Sequence, residues 1–150
     1  MSIDKRNSEG YPDPTAYEVL SLIEKEERAL RAFRPIAYIC SPYAGDIDKN
    51  IKAARTYSRF AVDKGYIPIA PHLLFPQFLD DTNPQERELG LFFGNALMSK
   101  CSEVWVFGNV ISPGMETEIK RARWKNYRLR YFTEDLEEIH SNGRIKDFSR

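Results

Sequence analysis

The chain has 150 residues, enough for one domain with a buried core. Hydrophobic residues make up 42% and charged residues 29%, ordinary usage for a soluble globular protein. Lys plus Arg number 22, as do Asp plus Glu, so the zero formal net charge favours neither a nucleic-acid backbone nor an acidic membrane surface as partner. Basic residues do gather at Lys120, Arg121, Arg123, Lys125, Arg128 and Arg130. They alternate with apolar residues and read as a solvated face rather than a nucleic-acid patch. Cys40 and Cys101 lie in or beside apolar segments and read as buried thiols, with no disulfide framework and no zinc spacing. No run is apolar enough to span a membrane, and no h-region follows the N-terminus, which predicts a cytoplasmic protein.

Residues 1–14 are polar, with Gly10, Pro12 and Pro14, and read as a loose lead-in. A helix is expected over 14–33, with Ala16, Leu20, Ile23, Leu30 and Phe33 near one face. It precedes the first strand, so it reads as an N-terminal extension over 1–34. A short apolar strand at 36–40 and a helix at 48–64 follow. The strand at 66–70 contains Pro68, which removes a ladder donor and points to a sheet edge or a bulge. A long loop rich in Leu, Phe and Pro covers 71–82. Asn83-Pro84-Gln85-Glu86 then starts a helix: Asn83 can cap, Pro84 suits the first position, and Glu86 can close a capping box. Leu89, Phe92, Phe93, Ala96 and Leu97 repeat along it at helical spacing. The strand at 103–107 is apolar on both faces, the mark of a central position. A helix over 112–125 and a strand over 127–132 complete the alternation, and the charged tail of 133–150 has room for one more short helix. Alternating strands and helices predict an α/β fold with a doubly wound parallel sheet, Rossmann-like, in three α/β/α layers.

Ligands of such sheets bind outside the carboxyl ends of the strands. That rule selects the turn 41–45, Pro71-His72 and its loop, residues 108–113, and the segment after Phe132. In the first, Ser41, Tyr43 and Gly45 can offer hydroxyls and backbone N–H groups to an anion, or simply form a tight polar turn. In Ser112-Pro113-Gly114-Met115-Glu116-Thr117-Glu118-Ile119, Ser112 can cap a helix and Gly114 permits close approach. Glu116 and Glu118 have two readings. Either both are first-turn acids facing the helix dipole, or one is a reacting carboxylate. With a buried stripe of Met115, Ile119 and Ala122, Glu118 falls about 60° from Met115 and Glu116 about 100° away on the other side. Glu118 therefore leans towards the strand ends, as a nucleophile or stabiliser at a sugar C1 requires. Asn95, mid-helix, is either a tolerated surface residue or a hydrogen-bonding group of the cleft. His72 is either structural or a ligand contact. A Ser41–His72–Asp triad lacks the nucleophile-elbow motif.

The stretch Ile36-Ala37-Tyr38-Ile39-Cys40-Ser41-Pro42-Tyr43-Ala44-Gly45, with Ser112-Pro113-Gly114-Met115 and Glu118-Ile119, resembles an uncharacterised bacterial and phage domain family. That family is similar to nucleoside 2-deoxyribosyltransferases and 2′-deoxynucleoside 5′-phosphate N-hydrolases. The resemblance covers residues 35–132. It implies that Glu118 attacks C1′ of a deoxyribose, that Tyr38 orients Glu118, that Ser112 helps hold a 5′-phosphate, which favours a nucleotide over a free nucleoside, and that the turn 41–45 holds phosphate and sugar. Two departures stand out. Asn95 occupies the region where the hydrolases carry an acid, and an amide cannot protonate a leaving base. Ala44 stands where they carry an Arg. Asp80 or Asp81 would then have to supply the acid.

The expected activity is cleavage or transfer of an N-glycosyl bond of a nucleoside or nucleoside 5′-monophosphate. Its catalytic residues would be Glu118, Tyr38 and Asn95. Its substrate contacts would be Ser41, Tyr43, Gly45, His72, Ser112, Gly114 and Met115. No metal or other cofactor is expected. The alternative is a nucleotide-binding module without catalysis. The resemblance also implies a homo-oligomer, since related enzymes complete their sites across subunits.

Overall fold

The computed structural model describes residues 14–30 and 33–140. The lead-in before Pro14 and the tail after His140 lie outside them. The chain divides into two compact units, Met1–Arg34 and Pro35–Arg150. In the first, α1 spans Pro14–Leu30. It is shorter than the expected 14–33, and Phe33 stands outside it, 88% exposed. The chain must become extended ahead of Pro35, which disfavours helix just before it.

The second unit runs β1 (Ile36–Cys40), α2 (Ile47–Asp63), β2 (Ile67–Ile69), α3 (Pro84–Met98), β3 (Glu103–Phe107), α4 (Pro113–Trp124), β4 (Arg128–Phe132) and β5 (Glu138–Ile139). The sheet order is β2-β1-β3-β4-β5, parallel except for β5, which pairs antiparallel with β4. The short helix foreseen in the tail is not found within 133–140. There the chain turns at Leu136, with φ at 68°, and returns as β5. The loop 71–82 is more ordered than expected, with 3-10 turns at Pro71–Leu73 and Phe75–Gln77.

This order explains the layers. The chain steps from β1 outward to β2, then back past β1 to β3. Right-handed crossovers put helices on opposite faces when the direction of travel reverses. Accordingly Tyr57 and Ala61 of α2 pack with Ala37, Ile39, Trp105 and Phe107 on one face. Met98 of α3 and Met115, Ile119 and Ala122 of α4 pack with Tyr38, Cys40, Val104 and Val106 on the other. The reversal falls between β1 and β3, where such sheets open a crevice at their carboxyl ends. β3 is central and wholly buried, and Pro68 sits in the edge strand β2.

α3 is rotated away from the face its periodicity suggested. Leu89 and Phe92 are 43% and 65% exposed, while Gly94 and Met98 are the buried residues. A helix approaches a sheet most closely through its smallest residue, and here Gly94 makes that contact. The expected capping box also differs. Asn83 Oδ1 accepts from the N–H groups of Gln85 and Glu86 at 2.9 and 3.3 Å. Glu86, however, accepts the Asp80 N–H at 3.0 Å, because the Asn83 N–H is already bonded to the Asp80 carbonyl.

At the amino end of the sheet, Glu103 is 6% exposed and is satisfied by several donors. Trp105 Nε1 and Arg130 Nη1 donate to Oε1 at 2.8 and 3.2 Å, and the Tyr66 hydroxyl donates to Oε2 at 3.2 Å. Arg130 forks onto Glu138 with two bonds of 2.8 Å and lies over the Trp105 ring at 4.9 Å. These partners fasten β5 to β4 and β3. Among the described residues no helix is long and apolar enough to cross a membrane.

Candidate active site

Side chains alternate along a strand, so Tyr38 and Cys40 share the α4 face of β1, while Ile39 and Ser41 take the other. On α4, Ser112 is the N-cap, its Oγ accepting the Met115 N–H at 3.3 Å. Burial of Met115, Ile119 and Ala122 fixes the helix rotation and turns Glu118, half-buried, towards β1. The Tyr38 hydroxyl donates to Glu118 Oε2. The Cys40 thiol lies 3.6 Å from Oε1 and donates to it, with the Met115 carbonyl as a further acceptor at 4.0 Å. Each carboxylate oxygen thus has one donor, both from the same strand face.

Burial pushes the Glu118 carboxyl up to about 7, against the opposing pull of the Tyr38 and Cys40 hydrogen bonds. Burial and the adjacent carboxylate push the Tyr38 hydroxyl and the Cys40 thiol well above their ordinary values, so both keep their protons. Glu116 instead pairs with Lys120 at 3.0 Å at the surface. Gly94 of α3 covers the pair: a Cβ there would stand 3.4 Å from the Tyr38 hydroxyl oxygen. Asn95 is half-buried beside it, and its side chain makes no hydrogen bond among the described residues.

The turn after β1 forms the neighbouring wall. Gly45, at φ 100°, reverses the chain before Asp46, which caps α2 by accepting the Lys49 N–H at 3.2 Å. Asn50 Nδ2 ties down the turn by donating to the carbonyls of Tyr43 and Ala44 at 2.9 and 3.1 Å. His72 donates from Nε2 to the Ser41 carbonyl at 3.1 Å and stacks on Tyr43, with centroids 4.9 Å apart. Burial lowers its pKa, so the ring is neutral near pH 7. This geometry is not a triad: the histidine binds the backbone of Ser41, whose Oγ is buried without a partner among the described residues.

In the loop 71–82, Asp80 accepts from the Thr82 N–H and hydroxyl at 2.9 and 2.6 Å, which hold its carboxyl below the ordinary range. Asp81 is exposed, and its charge acts on both Tyr43 and His72. Gly114 faces open space, where a Cβ would meet nothing within 4 Å. Met115, expected at the substrate, instead buries its side chain in the core and offers only its backbone. Sequence reasoning missed Cys40, Gly94 and Asn50. Cys40 was legible as two residues beyond Tyr38 on one strand face. The other two depended on packing. Among the described residues no group of three or more His, Cys, Asp or Glu could hold a metal ion.

The sheet order, its reversal between β1 and β3 and the layered helices define a Rossmann-like α/β domain of deoxyribosyltransferase-like fold. The chain belongs to a family described as a domain of unknown function (DUF7768), whose model matches residues 35–132. Among solved structures it is similar to a 2-deoxyribosyltransferase from Bacillus psychrosaccharolyticus, a biocatalyst for nucleoside synthesis. The identity is 13%, the match covers 71% of this chain and 77% of that one, and the TM-score is 0.56. At that identity the likeness shows the fold alone. No curated protein matches the chain.

Proposed function

We propose that the domain cleaves or transfers the N-glycosyl bond of a nucleoside or nucleotide, with Glu118 as nucleophile. The observation that carries this reading is a half-buried carboxylate held by Tyr38 and Cys40 at the reversal point of the sheet. In the first step a Glu118 oxygen bonds to C1′ as the C1′–N bond breaks. The electron pair leaves with the base, which takes up a proton. Water or a second base then attacks C1′ and releases the carboxylate. Tyr38 orients the carboxylate. Asp80 is tied to Thr82 and poorly suited to give a proton, which leaves Asp81, near Tyr43 and His72, as the acid for the leaving base. Exposed Phe78, Leu91 and Phe92 favour assembly of this domain as a homo-oligomer, and sedimentation finding monomer alone at micromolar concentration would refute that assembly.

The test is base release from paired deoxynucleosides and 5′-monophosphates by wild type, Glu118→Gln and Glu118→Ala. Release by wild type that disappears in both variants supports the reading. Undiminished release in Glu118→Ala removes Glu118 from the mechanism. A second reading, a nucleotide-binding module, is favoured by Asn95 in place of an acid. Binding without release by wild type would establish it.

A further inference from the structure

The three helices α2, α3 and α4 all begin at the carboxyl end of the sheet, where the turns after the parallel strands also lie. The segments 41–49, 70–87, 108–118 and 133–137 make up that end, and within them the only Lys or Arg residues are Lys49 and Arg87. Asp46, Asp48, Asp80, Asp81, Glu134 and Asp135 are all exposed there. The cations are concentrated elsewhere. Arg128 and Arg130 sit in β4 against Glu103 at the amino end, and Arg123 bonds the Tyr131 hydroxyl from the last turn of α4. Lys120, nearest the rim on α4, is paired with Glu116. Among the described residues of the second unit, the end of the sheet that holds Glu118 is therefore predominantly acidic.

Two local details point the same way. The N-terminus of α2, the natural anion seat beside the turn 41–45, already holds the Asp46 carboxylate on the Lys49 N–H. His72, the histidine of this rim, is buried, which lowers its pKa against the opposing pull of the Ser41 carbonyl and favours the neutral ring.

We infer that this site takes a nucleoside with a free 5′-hydroxyl and discriminates against the 5′-monophosphate. The inference rests on the glycosyl-enzyme reading for the position of the sugar. A phosphate dianion beside the turn 41–45 would adjoin Asp46 and Asp48 and feel the Asp81 charge that reaches Tyr43, with Lys49 as the cation nearest in sequence, and such charges repel over a Debye length of roughly 10 Å. An uncharged sugar meets no such repulsion.

The test compares kcat/KM for deoxynucleosides and their 5′-monophosphates in wild type and Asp46→Asn, at low salt and at about 0.3 M salt. Asn caps a helix as well as Asp does, so the variant removes charge and keeps the fold. A preference for the nucleoside of about tenfold or more is expected at low salt, narrowing several-fold in Asp46→Asn and in high salt. Equal or faster Glu118-dependent turnover of the monophosphate would overturn the inference and leave the glycosyl mechanism standing. If neither substrate is turned over, the mechanism fails, and calorimetric binding of the same pair decides the charge preference. Tighter nucleoside binding upholds it, and tighter or equal monophosphate binding ends it.

Discussion

The hydroxyl of Tyr38 donates its proton to a carboxylate oxygen of Glu118, 80 residues further along the chain. This bond lowers the Glu118 pKa, burial raises it, and burial wins, leaving the carboxyl at about 7. Attack on C1′ needs the ionised form, so kcat/KM should climb with pH and level off above about 7. In Tyr38→Phe the lost bond lets the pKa rise further. The acid limb should move up by about one pH unit and activity at neutral pH should fall about 10–100-fold. A pH–rate profile of both proteins checks this, and an unmoved limb would separate Tyr38 from the carboxylate.

The same shift links Glu118 to stability. A carboxyl with a folded pKa of about 7, against 4.5 for an ordinary glutamate, holds its proton more tightly in the native state. Its contribution is full below the unfolded pKa and is lost as pH rises through about 7. Glu118→Gln keeps an acceptor for Tyr38 and cannot ionise. Relative to wild type it should gain about 1–3 kcal/mol between pH 4 and pH 8. Thermal unfolding at the two pH values measures that gain. A difference independent of pH would show that the carboxyl titrates normally.

Cys40 is buried and keeps its proton, so it should resist maleimide in the native protein and react once the protein is unfolded, as mass spectrometry would record. Cys40→Ala removes the weak donor on Oε1. Its acid limb should rise by only a few tenths of a pH unit, less than in Tyr38→Phe, with a stability loss of about 1 kcal/mol. A shift as large as that of Tyr38→Phe would mean that the thiol bond is the stronger of the two.

Gly94 leaves 3.4 Å between a new Cβ and the Tyr38 hydroxyl oxygen. Gly94→Ala should fold normally, a gain in helix propensity of up to about 1 kcal/mol roughly offsetting the tighter contact. Gly94→Leu should drive the Tyr38 ring aside and reproduce the activity loss of Tyr38→Phe, with lower stability besides. Full activity in Gly94→Leu would mean that α3 does not govern Tyr38.

Arg130→Met should destabilise the domain by about 2–4 kcal/mol in urea unfolding, because it leaves Glu103 buried with fewer donors and Glu138 without its fork. Lys should not rescue it, since a point charge cannot make two parallel bonds and lie over a ring. Both Glu103 and Glu138 are held below the ordinary carboxylate range, Glu138 by Arg130 and Glu103 by Trp105 and Arg130. Their stabilisation is therefore present above the unfolded pKa and lost as pH falls into the acid range. A loss under 1 kcal/mol would show this network to be dispensable.

Periodicity and punctuation made the strand–helix alternation legible. Pro68 pointed to the edge, and the doubly apolar run of 104–107 pointed to the centre. Strand order was not legible, since many parallel orders satisfy the same alternation. β5 is two residues long and depends on Arg130 gripping Glu138, a tertiary bond with no local signature. On α3 the apolar pattern misled, because the helix seats its glycine and not its aromatics on the sheet. At the site, the angle of Glu118 from the buried stripe was readable from α4 alone. Strand alternation also put Cys40 on the Tyr38 face, but that this face of β1 meets α4 was unknown until the helices were placed on their layers.

Glu118, Tyr38, Cys40 and Gly94 all belong to regular elements, whereas Tyr43, His72 and Asp81 belong to turns. In the proposed reading the reacting group is therefore mounted on the frame, and the surfaces that would meet the rest of a bound molecule are carried on connections. Residues 71–82 hold none of the carboxylate's donors and reach this frame through the His72 bond to Ser41 and the packing of Phe75 on Phe93. Diversification of this domain, in nature or by design, has its natural starting point in that segment.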